Sequence, residues 1–290
     1  MLHLFSVGLA DGIESFQSAL EKAQRRLRDA VPRLEMRAAQ RGAYRFFFYR
    51  LPEEARSERE SALEAVKRQL AEVLLQFILA HHGRRIVERL VRASQAQFAP
   101  EEQREICRYA VELAQEAHFK SMCEAQVRQR LEAYLGESSE LCVDGFVRFR
   151  LPEYPLLLEG LVEEGAELYM NDVEYDEFIR VLQYFVEANP PQAETVQVKF
   201  NSCGPHLLLD EEGLLLQYDS IDPVERTTQD EYEELLICTL INLAPRKILL
   251  QETEKNTSLT QTLRNVFRER IEFCREVPRV PAYSIDRDLR

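Results

Sequence analysis

The stretch Ala43-Tyr44-Arg45-Phe46-Phe47-Phe48-Tyr49-Arg50-Leu51 decides the fold class. Crowded aromatics favour a pleated, half-buried strand. Successive strand side chains alternate between faces, so Tyr44, Phe46 and Phe48 share one face while Phe47 and Tyr49 share the other. Apolar groups on both faces predict a central strand covered on both sides. Upstream, Leu2–Leu9 reads as a short strand. Ile13, Phe16, Leu20, Ala23 and Leu27 recur at helical spacing over residues 12–30, and Pro32 ends that helix. The chain therefore opens as β-α-β.

Working outward, Ser57 and Glu60 have the spacing of a capping box. Leu63, Val66, Leu70, Val73, Leu74, Phe77 and Ile78 then form a helical stripe. His81-His82-Gly83 interrupts it, and Ile86, Val87, Leu90 and Val91 resume it. Residues 100–135 read as one long helix or two, with Pro100 at the start. Residues 141–188 are largely helical, with breaks expected at Pro152 and Pro155 and a new helix capped by Asn171. Asn189-Pro190-Pro191 closes the region. Beyond it the period changes: a strand at Thr195–Asn201, a hairpin of Leu207–Asp210 and Leu214–Tyr218 around Glu211-Glu212-Gly213, a helix at 229–243, a strand at Lys247–Leu250 and a helix at 258–270.

The expected fold class is a helix-rich α+β (mixed α/β) protein. It has an N-terminal β-α-β unit at 1–51, a helical region at 52–191, a C-terminal β-β-β-α-β-α unit at 192–276 and a loose tail at 277–290. Two N-terminal strands are too few to stand alone, which predicts that they share one sheet with the C-terminal strands.

Three blocks carry a resemblance: Glu174-Tyr-Asp-Glu-Phe-Ile-Arg-Val-Leu-Gln-Tyr-Phe-Val186, Leu235-Leu-Ile-Cys-Thr-Leu-Ile-Asn-Leu-Ala-Pro-Arg-Lys-Ile-Leu249 and Thr262-Leu-Arg-Asn-Val-Phe-Arg-Glu-Arg-Ile-Glu-Phe-Cys274. In order and spacing the chain resembles the YtxC-like family of sporulation proteins from endospore-forming bacteria, loosely over most of its length. The resemblance implies a setting in spore formation; together with the absence of a catalytic signature and the charge polarity it points to action by binding a protein partner. It implies no reaction, cofactor or catalytic residue, and no functional residue is carried over. Relatives place a second cysteine soon after the position of Cys274; here Arg275-Glu276-Val277-Pro278 follows.

Composition narrows the function classes. Of 290 residues, 45% are apolar and 30% charged, which is globular rather than disordered composition. No apolar run approaches the roughly 20 residues of a membrane span, and Met1–Ala10 lacks a basic leader. Six dispersed cysteines without a CxxC pair predict free thiols and a cytoplasmic location. With ten glycines there is no GxxxxGK[ST] and no GxGxxG, so no cofactor is expected. The net charge of −13 is regional: residues 151–240 carry 21 acidic and three basic side chains, whereas residues 22–50 carry nine basic and two acidic.

Candidate sites are few. Cys203-Gly204-Pro205-His206 could offer two zinc ligands, but two ligands make no structural site, and the Gly-Pro turn accounts for the letters. No metal is expected. The acidic groups Asp172/Glu174/Asp176/Glu177, Asp210/Glu211/Glu212 and Glu231/Glu233/Glu234 read as helix starts and a hairpin tip. A cysteine nucleophile or another unrecognised enzyme site stays open as an alternative, although most thiols sit among apolar neighbours. The sharpest alternative is nucleic acid, or another partner, on Arg25, Arg26, Arg28, Arg33, Arg37 and Arg41, followed by the aromatic strand. Arg41-Gly42-Ala43-Tyr44 partly matches an RNA-binding strand signature, with Ala43 where an aromatic should stand. The same letters fit a solvated basic helix beside a buried strand, or an internal partner for the acidic stretch. A homo-oligomer is compatible with that polarity.

Overall fold

The computed structural model describes residues 1–200, 206–216, 228–251 and 257–274. It divides into two compact units, Met1–Asn171 and Asp172–Arg290.

The first unit holds a four-stranded sheet in the order β2-β3-β1-β4. Its strands are β1 (Leu2–Leu9), β2 (Glu35–Arg41), β3 (Tyr44–Leu51) and β4 (Glu140–Cys142). β3 pairs antiparallel with β1 and β2, and β4 pairs parallel with β1. The opening is therefore β-α-β-β, with β2 an added edge strand. Arg41 pairs with Tyr44 across a two-residue turn whose Gly42 sits at φ 60°. Glycine at the first central position suits the tight turns that match strand twist.

One face of this sheet is covered. Phe5, Val7, Leu9, Phe47, Tyr49 and Leu51 enter a single core with helix α1 (Ile13–Ala30) and helix α2 (Arg59–Phe77). Phe16 of α1 meets Phe47 edge-on at 5.7 Å and Phe77 of α2 at 5.0 Å. Truncating such a buried ring costs about 3–5 kcal/mol, far more than any helix propensity difference along α1.

The helices complete the unit: α3 (Arg84–Ser94), α4 (Pro100–Leu113), α5 (Ala117–Glu137), α6 (Val143–Arg150) and the first part of α7 (Glu153–Ala188), whose residues from Asp172 on belong to the second unit. Between α2 and α3, residues Ile78–Gly83 form a π-turn, so His81-His82-Gly83 widens the helix instead of ending it. Several local expectations are corrected. The Ser57/Glu60 capping box does not form, because Glu53–Glu58 is a 3-10 turn and α2 starts at Arg59 without a side-chain cap. Pro155 lies in the first turn of α7, where a missing N–H is harmless. Asn171 lies inside α7 and starts nothing.

The second unit has its own sheet, in the order β6-β5-β7-β8. These are β5 (Thr195–Lys199), β6 (Leu207–Leu209), β7 (Lys247–Gln251) and β8 (Ile271–Cys274), joined through helices α8 (Gln229–Leu243) and α9 (Ser258–Phe267). The expectation of one shared sheet is thus corrected: among the described residues the N- and C-terminal strands build two sheets. β5, β7 and β8 run parallel, and β6 is antiparallel to β5. Parallel neighbours need helical crossovers, which α8 and α9 supply. Asp210 caps the hairpin turn by accepting from the backbone N–H of Glu212 and Leu214. The second hairpin arm beyond Leu216 and the expected tail lie outside the described residues.

Helix α7 tests close packing within the first unit. A methyl group on Gly165 would stand 2.9 Å from the backbone nitrogen of Ala110 in α4, whereas one on Gly160 would meet nothing within 4 Å. Alanine gains about 1 kcal/mol over glycine inside a helix, but forced overpacking costs about 1–3 kcal/mol. Urea titrations should find Gly160→Ala more stable than the parent chain and Gly165→Ala less stable.

Candidate functional site

The other face of the first sheet lies outside the main core cluster, although Phe48 and Ser6 on it are buried, at 8% and 1% exposure. Register places Tyr44, Phe46, Phe48 and Arg50 of β3 on it, with Arg37, Ala39 and Arg41 of β2 on one side and Ser6 and Gly8 of β1 on the other. Small residues flank the two central rings. A β-carbon on Gly8 would lie 2.5 Å from Cε1 of Phe46, so that ring rests directly on the glycine. Phe46 and Phe48 stack at 5.9 Å. The guanidinium of Arg41 lies over both rings, at 5.7 and 5.0 Å, and that of Arg50 lies 5.4 Å over Phe48. His3 meets Phe48 edge-on at 6.3 Å. The expected cover on both sides is thereby corrected. β3 is central, but its second face is shielded by arginine side chains laid on aromatic rings. Each exposed cation–π contact is worth about 0.5–1 kcal/mol.

The six arginines singled out from sequence part company. Arg25, Arg26 and Arg28 are exposed on α1, whose buried side packs against the opposite face of the sheet. Arg33 approaches Glu58 at 3.9 Å. Arg37 pairs with Glu35 at 3.2 Å, and Arg41 covers the rings. Only Arg37 and Arg41 therefore share the aromatic face. Arg50 and His3 join them through register, which basic-residue counting does not reveal. Tyr44 stands at the end of this face, where the Cys142 and Asp144 charges and a hydrogen bond with Cys142 push its pKa up.

The remaining candidates disperse. Cys203 lies outside the described residues. His206 is buried, packs edge-on to Phe200 at 5.4 Å, lies 3.4 Å from the Gln229 amide and has its pKa lowered by burial. Among the described residues no three His, Cys, Asp or Glu side chains converge as a metal site. Cys107, Cys123, Cys142, Cys238 and Cys274 are free, and burial raises the pKa of Cys107 and Cys123, which favours the unreactive thiol. The acidic group from Asp172 to Glu177 sits inside α7. Among the described residues no helix is long and apolar enough to cross a membrane. One apolar surface stands out in the second unit. Phe178, Val181, Tyr184 and Phe185 of α7 are 53%, 51%, 68% and 50% exposed, while Ile179 and Val186 of the same helix are buried.

Comparison with known proteins identifies a family. The model of the YtxC-like family matches residues 68–272, and the chain belongs to that family. It is similar to the protein "Uncharacterized protein YtxC" of Bacillus subtilis (strain 168), with 24% identity over 154 residues. That match covers 49% of this chain and 54% of the relative, so the chain spans about half the length of the relative it matches. No solved structure matches. The aromatic sheet face, on residues 3–50, lies outside the family match.

Two measurements probe this region. Gly8→Ala forces the Phe46 ring off its seat and should cost about 1–3 kcal/mol. Combined with Phe46→Ala it should cost less than the sum of the single changes, giving a coupling readable by a double-mutant cycle. Burial also lowers the pKa of His82 and His206, so the unfolded chain takes up protons more readily, near pH 6.5. Their contribution to stability is complete above that pH and is lost as pH falls toward the lowered folded values. The urea midpoint should drop on acidification through this window, and His82→Leu should flatten the drop.

Proposed function

We propose that this YtxC-like chain works by binding rather than catalysis, in the setting of spore formation and in the cytoplasm. The proposed ligand of its first unit is single-stranded nucleic acid laid across the arginine-covered sheet face, where Phe46 is partly exposed and Phe48 is buried beneath the cover. One observation carries the reading: stacked rings, Phe46 and Phe48, lie mid-sheet beneath the guanidiniums of Arg41 and Arg50. Single-stranded bases are held by stacking on aromatic side chains and arginine planes, with cations at the phosphates, and four-stranded sheets with central aromatics are a common platform. In this reading a base stacks on the guanidinium layer or displaces it, and Arg37 and Arg41 meet the backbone. Arg25, Arg26 and Arg28, behind the sheet, contribute only long-range attraction.

Fluorescence anisotropy with short labelled RNA and DNA oligonucleotides tests this. Affinity should fall steeply with salt. Phe46→Ala should weaken binding roughly tenfold or more, since one stacked base is worth about 1–3 kcal/mol. Arg41→Ala should lower both affinity and salt slope, while the triple change Arg25→Ala, Arg26→Ala and Arg28→Ala should have the smaller effect. No binding at low salt, or binding indifferent to Phe46→Ala, rejects the reading and leaves a protein partner as the ligand to seek.

A further inference from the structure

A second concave surface of the first unit, away from the stacked rings, has a different chemistry. A cleft of about 940 Å³ opens among α3, α6 and the first turn of α7. Its polar lining includes His82, Arg85, Arg89, Arg92, Asp144 and Arg148. Its apolar lining comes from Ile86, Val147, Leu151, Pro152 and Pro155. The volume lies within the usual range for small-molecule sites.

The charges in this cleft are unbalanced. Glu88 already pairs with Arg84 at 3.1 Å. Asp144 accepts the backbone N–H of Ala10 at 2.8 Å. Arg85 is held by Asp11, which also lies 3.5 Å from His81. Arg89, Arg92 and Arg148 have no carboxylate within ion-pair distance among the described residues. Three guanidiniums from two helices, far apart in sequence, thus share one concavity in which positive charge is in excess, Asp144 being the one lining carboxylate without a cationic partner among the described residues. Like charges at helical spacing, such as Arg85 and Arg89, repel one another. A merely solvated basic face needs neither a concavity nor an apolar lining.

Two further features bear on a ligand. His82 lines the cleft at 8% exposure, and its Nε2, buried beneath that surface, finds no hydrogen-bond partner among the described residues. Buried polar atoms without partners are uncommon in folded proteins. In addition, Pro152 and Pro155 bring the start of the 36-residue helix α7 to the cleft; Pro155 has no N–H and the Tyr154 N–H donates to the Leu151 carbonyl, so this end offers an anion its dipole and few donors. Arg148 also lies 5.4 Å over the ring of Phe149, which is 72% exposed and offers a flat surface beside the charged groups.

We propose that this cleft is a binding site for a small organic anion carrying two or more phosphates and a flat or apolar body, the chemistry of a nucleoside polyphosphate. Arg89, Arg92 and Arg148 hold the phosphates, and the apolar lining takes the body. Guanidinium groups suit this task because their paired N–H donors match phosphate oxygens.

Isothermal titration calorimetry of the full chain with inorganic tripolyphosphate and with ADP decides the matter. Both should bind and weaken with salt, ADP gaining from the apolar lining. The double change Arg89→Ala with Arg148→Ala should reduce affinity for both at least tenfold with the melting temperature unchanged. Arg25→Ala with Arg26→Ala, the same charge loss on exposed α1, should leave it within about twofold, and so should Phe46→Ala, which separates this site from the sheet face. Absence of heat with both probes at low salt, or equal weakening by the two double variants, overturns the proposal. So does the pattern in which Arg89→Ala with Arg148→Ala weakens an oligonucleotide while tripolyphosphate gives no heat, because the cleft then serves a nucleic-acid backbone.

Discussion

Everything in the first unit depends on the edge-on wedge of Phe16 between Phe47 and Phe77. Those three rings belong to α1, β3 and α2, so one contact fixes two helices to one sheet face. The alternation of β3 does the rest. Once Phe47 and Tyr49 are committed to the core, a period of two sends Phe46 and Phe48 to the opposite face. A slip of one residue would exchange the two sets and bury Arg50, which makes the register strongly preferred.

The outward face then has an apolar problem of its own, solved locally. Rings lie flat because Gly8 and Ser6 leave room beside them, and the long side chains of Arg41 and Arg50 cover them while keeping charge in water. Such a cover is exchangeable in a way that a packed helix is not. Guanidiniums can rotate off the rings for little energy and retain their solvation, so a flat ligand competes with a weak cover instead of a core.

How much of this was legible follows from period and pairing. The β3 faces, the α1 stripe and the C-terminal strands β5 and β7 announced themselves through alternation and helical spacing. β2 did not: Glu35-Met-Arg-Ala-Ala-Gln-Arg41 has no apolar period, and it is a strand only because β3 offers a partner edge. Polar, charged edge strands guard against pairing between molecules, and that is what hides them from pattern reading. β8 escaped for a related reason, being four residues directly after a helix and a 3-10 turn. The π-turn was misread because His-His-Gly carries a breaker signal, although an extra residue per turn lets a helix pass through it. The cleft arginines were missed altogether, although Arg84-Arg85 and Arg89 stand close together in the sequence, because their meaning lies in Arg148 arriving from α6.

The basic residues therefore separate two kinds of information. Arg25, Arg26 and Arg28 form the densest basic run in residues 22–50, yet they stand on the outside of α1, where nothing else converges. Arg41 and Arg148 are sparse in sequence and meet rings, or other guanidiniums, only through register and helix packing. The net charge of −13 does not weigh against an anionic ligand at either place. Its excess belongs to residues 151–240, and at physiological salt exposed charges act over only about 8 Å. What an anion experiences at a concave surface is the set of groups within that distance, and at the α3–α6 cleft four guanidiniums, of Arg85, Arg89, Arg92 and Arg148, outnumber the two carboxylates of Glu88 and Asp144.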